Sequence, residues 1–190
     1  SFENVQERFT VEDACKWDNQ LEIPIYQLHQ MAKGGEIGVN SDFLQRKVQT
    51  DEWTKEDYKR VKEWLSSLVK GNGQVDYIML VPTELIKKSL EDKMEVDLSE
   101  RENVEPVLQQ VQKDEKDGVL YYVVDGQNRI YEAIMPFFEN KIPFGEKALT
   151  MYDKTKKGRN AKTVLSGKLF KEFDTPVQEF LKTLTIPLAI

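Results

Sequence analysis

The sequence predicts an α+β domain, a small mixed β-sheet with flanking helices. Three observations carry that prediction. Residues 119–124, Val-Leu-Tyr-Tyr-Val-Val, form an apolar run rich in β-branched and aromatic residues, the strongest strand signal in the chain. Apolar residues recur at helical spacing after Thr54 and again after Gly126. The chain has 190 residues, enough for one domain that buries a core without disulfide or metal staples.

In chain order, residues 1–19 read as an amino-terminal extension and residues 20–190 as the domain. Leu21-Glu22-Ile23-Pro24-Ile25-Tyr26 alternates and reads as a short edge strand, since Pro24 has no N–H for a ladder. Gly34-Gly35 is a turn, and Ile37-Gly38-Val39 a short extended piece. Thr54 is a good N-cap with Asp57 three residues on. Tyr58, Val61, Leu65 and Leu68, with Trp64 alongside, then mark a helix that Gly71-Asn72-Gly73 ends. Residues 75–81 are a nearly continuous apolar run, short enough for a buried strand, and Pro82 closes it.

Residues 83–117 are charged and variable. Ser99-Glu100-Arg101-Glu102 has a capping-box pattern, followed by a helix carrying Val104, Val107, Leu108 and Val111. Its charged face reads as solvated. The 119–124 strand runs into Asp125-Gly126, and Ile130, Ala133, Ile134 and Phe137 recur at helical spacing after it. Residues 148–152 read as a further strand. Lys154, Lys156, Lys157, Arg159, Lys162 and Lys168 follow with no acid among them. Thr175-Pro176-Val177-Gln178 supplies an N-cap, a first-turn proline and a capping-box glutamine, with Val177, Phe180 and Leu181 facing inward. Residues 186–190 form a last strand. An apolar strand is an odd terminus, so the chain is expected to be a piece of a longer protein.

Composition removes several classes of function. The single cysteine, Cys15, cannot form an internal disulfide, which points to a reducing, cytoplasmic setting. Cys15 reads as a packing residue rather than a nucleophile. One Cys and one His cannot build a Cys/His zinc site, and a Ser-His-Asp triad would rest on His29 alone. His29 reads as a surface or boundary residue. No apolar run approaches the roughly 20 residues of a membrane span. A net charge of -6 disfavours wholesale wrapping by DNA and leaves room for a local basic patch.

One junction carries chemistry. A strand delivers the chain to Asp125-Gly126-Gln127-Asn128-Arg129, and a helix starts there. Gly126 lets backbone approach a ligand closely. The first helical turn leaves N–H groups unpaired, and the helix dipole favours an anion at that place. Such a junction is a ready phosphate seat. Arg129 adds a bidentate donor suited to phosphate oxygens. Asp125 can cap the helix, hold Mg2+ or accept a proton from water, and Gln127 can orient a water or read a base edge. An ordinary Asp-Gly turn with an Asp N-cap explains part of the pattern equally well. The row Gln, Asn, Arg in a helix start favours a site. A second element, Phe43-Leu44-Gln45-Arg46 before Trp53, also reads as a solvated loop when taken alone. The basic run 154–168 can meet DNA phosphate. Aromatic interleaving is thin, with Tyr152 before and Phe170 after, so the run reads as a mobile surface loop.

The order of these boxes adds a resemblance. Gln45-Arg46, then Trp53, the helix ending in Ser67-Leu68-Val69-Lys70-Gly71, the strand at 77–81 and the Asp125–Arg129 box resemble the amino-terminal domain of GmrSD-type, modification-dependent restriction proteins. That domain, of the ParB/sulfiredoxin-like superfamily, carries a Q-R box and a D-G-Q-Q-R box. The resemblance spans about residues 20–138. It departs at Asn128, which stands where the family has its second Gln, and at Ile130-Tyr131-Glu132-Ala133.

The resemblance implies a nucleotide-binding, often NTP-hydrolysing domain that regulates an HNH-type nuclease module. Gln45, Arg46, Asp125, Gly126, Gln127, Asn128 and Arg129 would bind the nucleoside triphosphate with Mg2+. Arg46 and Arg129 would hold phosphates, Asp125 the metal or the attacking water, and Gln45 and Gln127 would position. Asp125, Gln127 and Arg129 would then be catalytic. Phosphoryl transfer asks mostly for placement and charge stabilisation, which such a set supplies. The alternative is a ParB-like DNA-binding module without turnover, using Lys154, Lys156, Lys157, Arg159 and Lys162. A free-standing nuclease is disfavoured, because no HNH-like histidine cluster or dense set of carboxylates is visible.

Overall fold

A computed structural model describes residues 21–39, 54–70, 77–145, 150–152, 157–158 and 162–189. The elements run β1 (Leu21–Pro24), α1 (Ile25–Lys33), β2 (Ile37–Gly38), α2 (Lys55–Lys70), β3 (Ile78–Pro82), α3 (Thr83–Val96), α4 (Arg101–Lys116) and β4 (Tyr121–Asp125). A π-helical segment (Arg129–Ile134) leads into α5 (Met135–Phe138), and β5 (Thr150–Tyr152), β6 (Lys162–Val164), α6 (Thr175–Lys182) and β7 (Thr185–Ala189) follow. The fold is α+β, as the sequence predicts.

Five strands form one mixed sheet in the order β1-β7-β3-β4-β2, and β5 and β6 form a separate antiparallel ribbon. β1 pairs antiparallel with β7, β7 parallel with β3, β3 antiparallel with β4, and β4 parallel with β2. β1 lies at the sheet edge, where Pro24 costs no ladder bond. Ile23, Ile78, Leu80, Tyr121, Val123, Ile186 and Leu188 join one core with residues of α1, α2, the π-helical segment and α6. Tyr122 is fully buried but stands outside that core. Its ring lies against Gly38, where a Cβ would come within 2.9 Å of it, and its hydroxyl donates to Asp114 of α4 at 2.5 Å. The α3–α4 hairpin thus touches the sheet from the side opposite the helical core.

Local signals explain the ends of several elements. Thr54 Oγ1 accepts from Asp57 N at 3.2 Å, and Asp57 Oδ2 accepts from Thr54 N at 2.8 Å, the reciprocal cap that the sequence predicts for α2. Val177 and Leu181 of α6 are buried as expected, and Phe180 packs against the core while partly exposed.

Other expectations need correction. The strand predicted through Tyr26 stops at Pro24, whose backbone at φ -59 precedes a helix rather than continuing the ladder. Ile25, Leu28 and Met31 then recur at helical spacing and are all buried. His29 rides on that helix and is 6% exposed, not a surface residue. It lies between Tyr26 and Phe138, with ring centroids 5.6 and 5.5 Å away. Residues 83–96 form a helix that the charged composition concealed. Asp97, not Ser99, caps the turn before α4, its carboxylate accepting from Ser99 N at 3.0 Å. Asp174, not Thr175, caps α6. Cys15, Trp53, the extension 1–19 and the glycine-rich end 71–73 lie outside the described residues.

Candidate functional site

Strand directions bring several chain segments to one end of the sheet. β3 and β4 are antiparallel, so the end of β4 meets the start of β3, with Asp125 opposite Met79. β2 runs parallel to β4, so its end points the same way. β1 starts opposite the end of β7, which is again this end of the sheet. Asp125-Gly126 therefore sits where β3 begins, level with Leu188 of β7 and Leu21 of β1, and past the end of β2, whose Gly38 pairs with Tyr122.

The backbone at this place departs from regularity three times within eleven residues, 124–134. Leu80 pairs with Val123 and Met79 with Asp125, so Val124 is an extra residue, a bulge that re-aims the side chains after it. Gly126 has φ +94, in the region that disfavours any side chain. The helix that opens with Gln127 and Asn128 widens into six π-helical residues, Arg129–Ile134. Such segments are rare and concentrate at functional positions. Ile130, Ala133 and Ile134 bury the inner side of the π-helical segment, and Phe137 and Phe138 continue it into α5. The apolar pattern therefore anchors the helix while its polar start faces the sheet end.

All five residues from Asp125 to Arg129 are half-buried. Arg129 Nη1 donates to the carbonyl of Tyr77 at 3.1 Å, tying the helix start to the residue before β3. A guanidinium carries five N–H donors in a planar fork. Ile130 N donates to Gly126 O at 3.2 Å and closes the first turn. Gly126 is required by the sheet itself, since a Cβ there would meet Ile78 Cγ1 at 2.9 Å and Ile78 Cα at 3.3 Å. The close approach that the glycine permits is to β3, where the sequence suggested a ligand.

The other predicted residues are placed as follows. Gln45 and Arg46 lie outside the described residues, as do Lys154, Lys156 and Arg159. Lys157 and Lys168 are exposed. Lys162 is not in a loop but in β6, with its Nζ 5.7 Å from the Tyr152 ring centroid. A strand forms there because Thr150-Met151-Tyr152 pairs with Lys162-Thr163-Val164 and buries Met151.

Two features escaped sequence reasoning. The Tyr77 carbonyl as the seat of Arg129 carries no side-chain signal, because any residue offers that group. A groove of about 500 Å³ runs beside the first half of α2, with Lys55, Lys59 and Lys62 at helical spacing, Tyr58, Glu63 and Gly145 along it. Its lysine spacing was legible, but its far wall comes from residue 145. Gly145 N donates to Ser66 Oγ at 3.0 Å and to Lys62 O at 3.2 Å, docking that segment on α2. No residue of the 125–129 box lines the groove. Among the described residues no group of three or more His, Cys, Asp or Glu side chains is placed to hold a metal ion. Among them no helix is long and apolar enough to cross a membrane. Compared with models of protein families, with curated proteins and with solved structures, the chain matches none.

Proposed function

We propose that the chain is a nucleoside-triphosphate-binding domain of the ParB/sulfiredoxin-like kind. Asp125, Gly126, Gln127, Asn128 and Arg129 form its phosphate seat, and Gln45 and Arg46 complete it. The observation that carries this reading is the run of bulge, left-handed glycine and π-helix at Asp125–Arg129. Regular strand and helix geometry would serve packing alone, and irregular backbone at a strand end is characteristic of built sites. Topology adds support. β2 ends beside β4 at the same sheet end, seven residues before Gln45, and seven residues of extended chain span up to about 23 Å.

Phosphate oxygens would take hydrogen bonds from the N–H groups of the first helical turn and from the Arg129 fork. One carboxylate suits Mg2+, which keeps several waters and shares its remaining positions with substrate phosphates. Asp125 would hold that ion or the attacking water, and Gln127 would orient the water. The ion would supply charge neutralisation at the transferring phosphoryl group. The resemblance extends the reading to a regulatory, NTP-hydrolysing role beside a nuclease module in a modification-dependent restriction or phage-defence type protein.

Calorimetric titration with each of the four common NTPs, with and without Mg2+, tests the seat. Binding by the parent chain should weaken at least about tenfold, roughly 1.4 kcal/mol, in Arg129→Ala and Arg46→Ala. Loss of Mg2+-dependent phosphate release with binding retained in Asp125→Asn would assign the acid to turnover. Because Arg129 also holds the Tyr77 carbonyl, urea unfolding of Arg129→Ala separates lost binding from lost fold. Binding unchanged in both arginine variants refutes the seat. Duplex retardation without NTP binding would instead favour a ParB-like DNA-binding module without turnover.

A further inference from the structure

The α3–α4 hairpin is an outlying piece of the molecule. Thr83 N donates to Leu120 O at 2.9 Å, Val119 N to Asp114 O at 2.9 Å and the Tyr122 hydroxyl to Asp114, all at its base. The Lys87–Glu115 ion pair at 2.8 Å joins the two helices near that base. The 14 residues of α3 put the tip about 20 Å from that base. At the tip, Val96 is 88% exposed and Leu98 74% exposed. Residues 91–105 around them hold seven carboxylates against two cations, so the segment is strongly acidic in a chain whose net charge is -6.

A second surface has the opposite character. In the β5–β6 ribbon, Thr150 stands opposite Val164 and Tyr152 opposite Lys162. The pleat sends these four side chains to one face and Met151, which is buried, to the other. The outer face therefore shows Tyr152, 60% exposed, and Val164, 50% exposed, beside Lys162. Exposed Lys157 precedes β6 and exposed Lys168 follows it in sequence, and no acid occurs between residues 154 and 170.

We infer that the acidic hairpin tip of one copy docks on the basic outer face of the β5–β6 ribbon of a second copy. Each surface offers two exposed apolar side chains within a field of one sign, and the signs are opposite. The ribbon packs through Met151 on the helical core, whereas the hairpin meets the sheet through Tyr122 on its other side, so the partners are found between copies. The two patches differ, so the contact closes as a two-fold dimer where both tip–ribbon contacts form reciprocally and otherwise propagates into rings or open chains. So few residues place it among small, transient interfaces, and its exposed charges make it sensitive to salt.

Sedimentation velocity of the whole chain from about 5 to about 500 µM tests this, a range suited to a weak interface. The weight-average coefficient should climb with concentration in low salt and return to the monomer value at about 0.5 M salt. The triple variants Glu91→Lys/Glu95→Lys/Glu102→Lys and Lys157→Glu/Lys162→Glu/Lys168→Glu should each remain monomeric. So should Val96→Ser/Leu98→Ser. All these positions are exposed, and circular dichroism confirms that each variant folds. Restored association on mixing the acidic-tip variant with the ribbon variant would identify the pairing, because reversed charges then meet. A single monomeric species at every concentration overturns the inference, and so does association that neither charge reversal changes. Duplex DNA retained on the ribbon, with no self-association, also overturns it and assigns the lysines to nucleic acid.

Discussion

Substituting Gly126 by alanine tests the close packing of the box on β3. The new Cβ would stand 2.9 Å from Ile78 Cγ1 and 3.3 Å from Ile78 Cα, and the residue would keep φ +94. Two costs add. Holding an L-residue in the left-handed region costs about 1–2 kcal/mol. Forcing one methyl into a filled contact costs about 1–3 kcal/mol, because Ile78 is fully buried and its backbone is part of a paired strand. The expected loss is therefore about 2–5 kcal/mol, a large part of the stability of an ordinary domain.

Urea unfolding followed by tryptophan fluorescence measures it, with Ile78→Ala and the double variant completing a cycle. Ile78→Ala alone should cost about 2–5 kcal/mol by leaving a cavity. In its background the 2.9 Å contact with Cγ1 disappears, while the 3.3 Å approach to the Cα of residue 78 and the strained φ remain. Gly126→Ala should then cost about 1 kcal/mol less than in the parent chain, a coupling expected of residues in contact. A Gly126→Ala loss below about 0.5 kcal/mol, the range of a neutral surface change, would refute the packing of the motif against Ile78.

Three further outcomes are expected. Burial holds His29 below the ordinary histidine value of 6.5, with Glu139 opposing and Lys33 assisting that shift. The unfolded chain therefore takes up the proton first, so stability is complete above 6.5 and falls as pH drops from there toward the folded value. The urea midpoint should drop between pH 7.5 and 5.5 in the parent chain, and a parent-like drop in His29→Phe would exclude the histidine as its source. The Tyr122 phenol is pushed above its ordinary range by burial first and then by its bond to Asp114. Tyr122→Phe should cost about 1.5–3 kcal/mol, the worth of a hydrogen bond to a charged group, and raise amide exchange selectively in 83–117; exchange rising evenly over the chain would contradict the hairpin's attachment there. Arg129→Lys should retain part of the NTP affinity and lose more of it than surface lysine exchanges do, since an ammonium offers no planar fork; full affinity would show that the fork is not used.

Much of this protein is written in local sequence. The strands at 78–82, 121–125 and 185–189, the Thr54–Asp57 cap, the inward side of α6 and the strand-turn-helix junction at Asp125 all rest on nearest-neighbour chemistry. Periodicity, caps and prolines act over four residues or fewer, so they survive without knowledge of the fold. The α3 helix was hidden because its apolar residues are sparse among charges and its partner, α4, lies a turn away in sequence. His29 read as a surface or boundary residue because only the third dimension brings Phe138 against it. The bulge at Val124 needs β3 beside β4, and the demand for glycine at 126 comes from Ile78, 48 residues earlier. The same holds for the Tyr77 carbonyl that seats Arg129. Backbone groups are chemically alike at every position, so no sequence pattern marks which one will be met. Residue type therefore determined what chemistry the Asp125–Arg129 box offers, and chain topology alone decided what stands next to it.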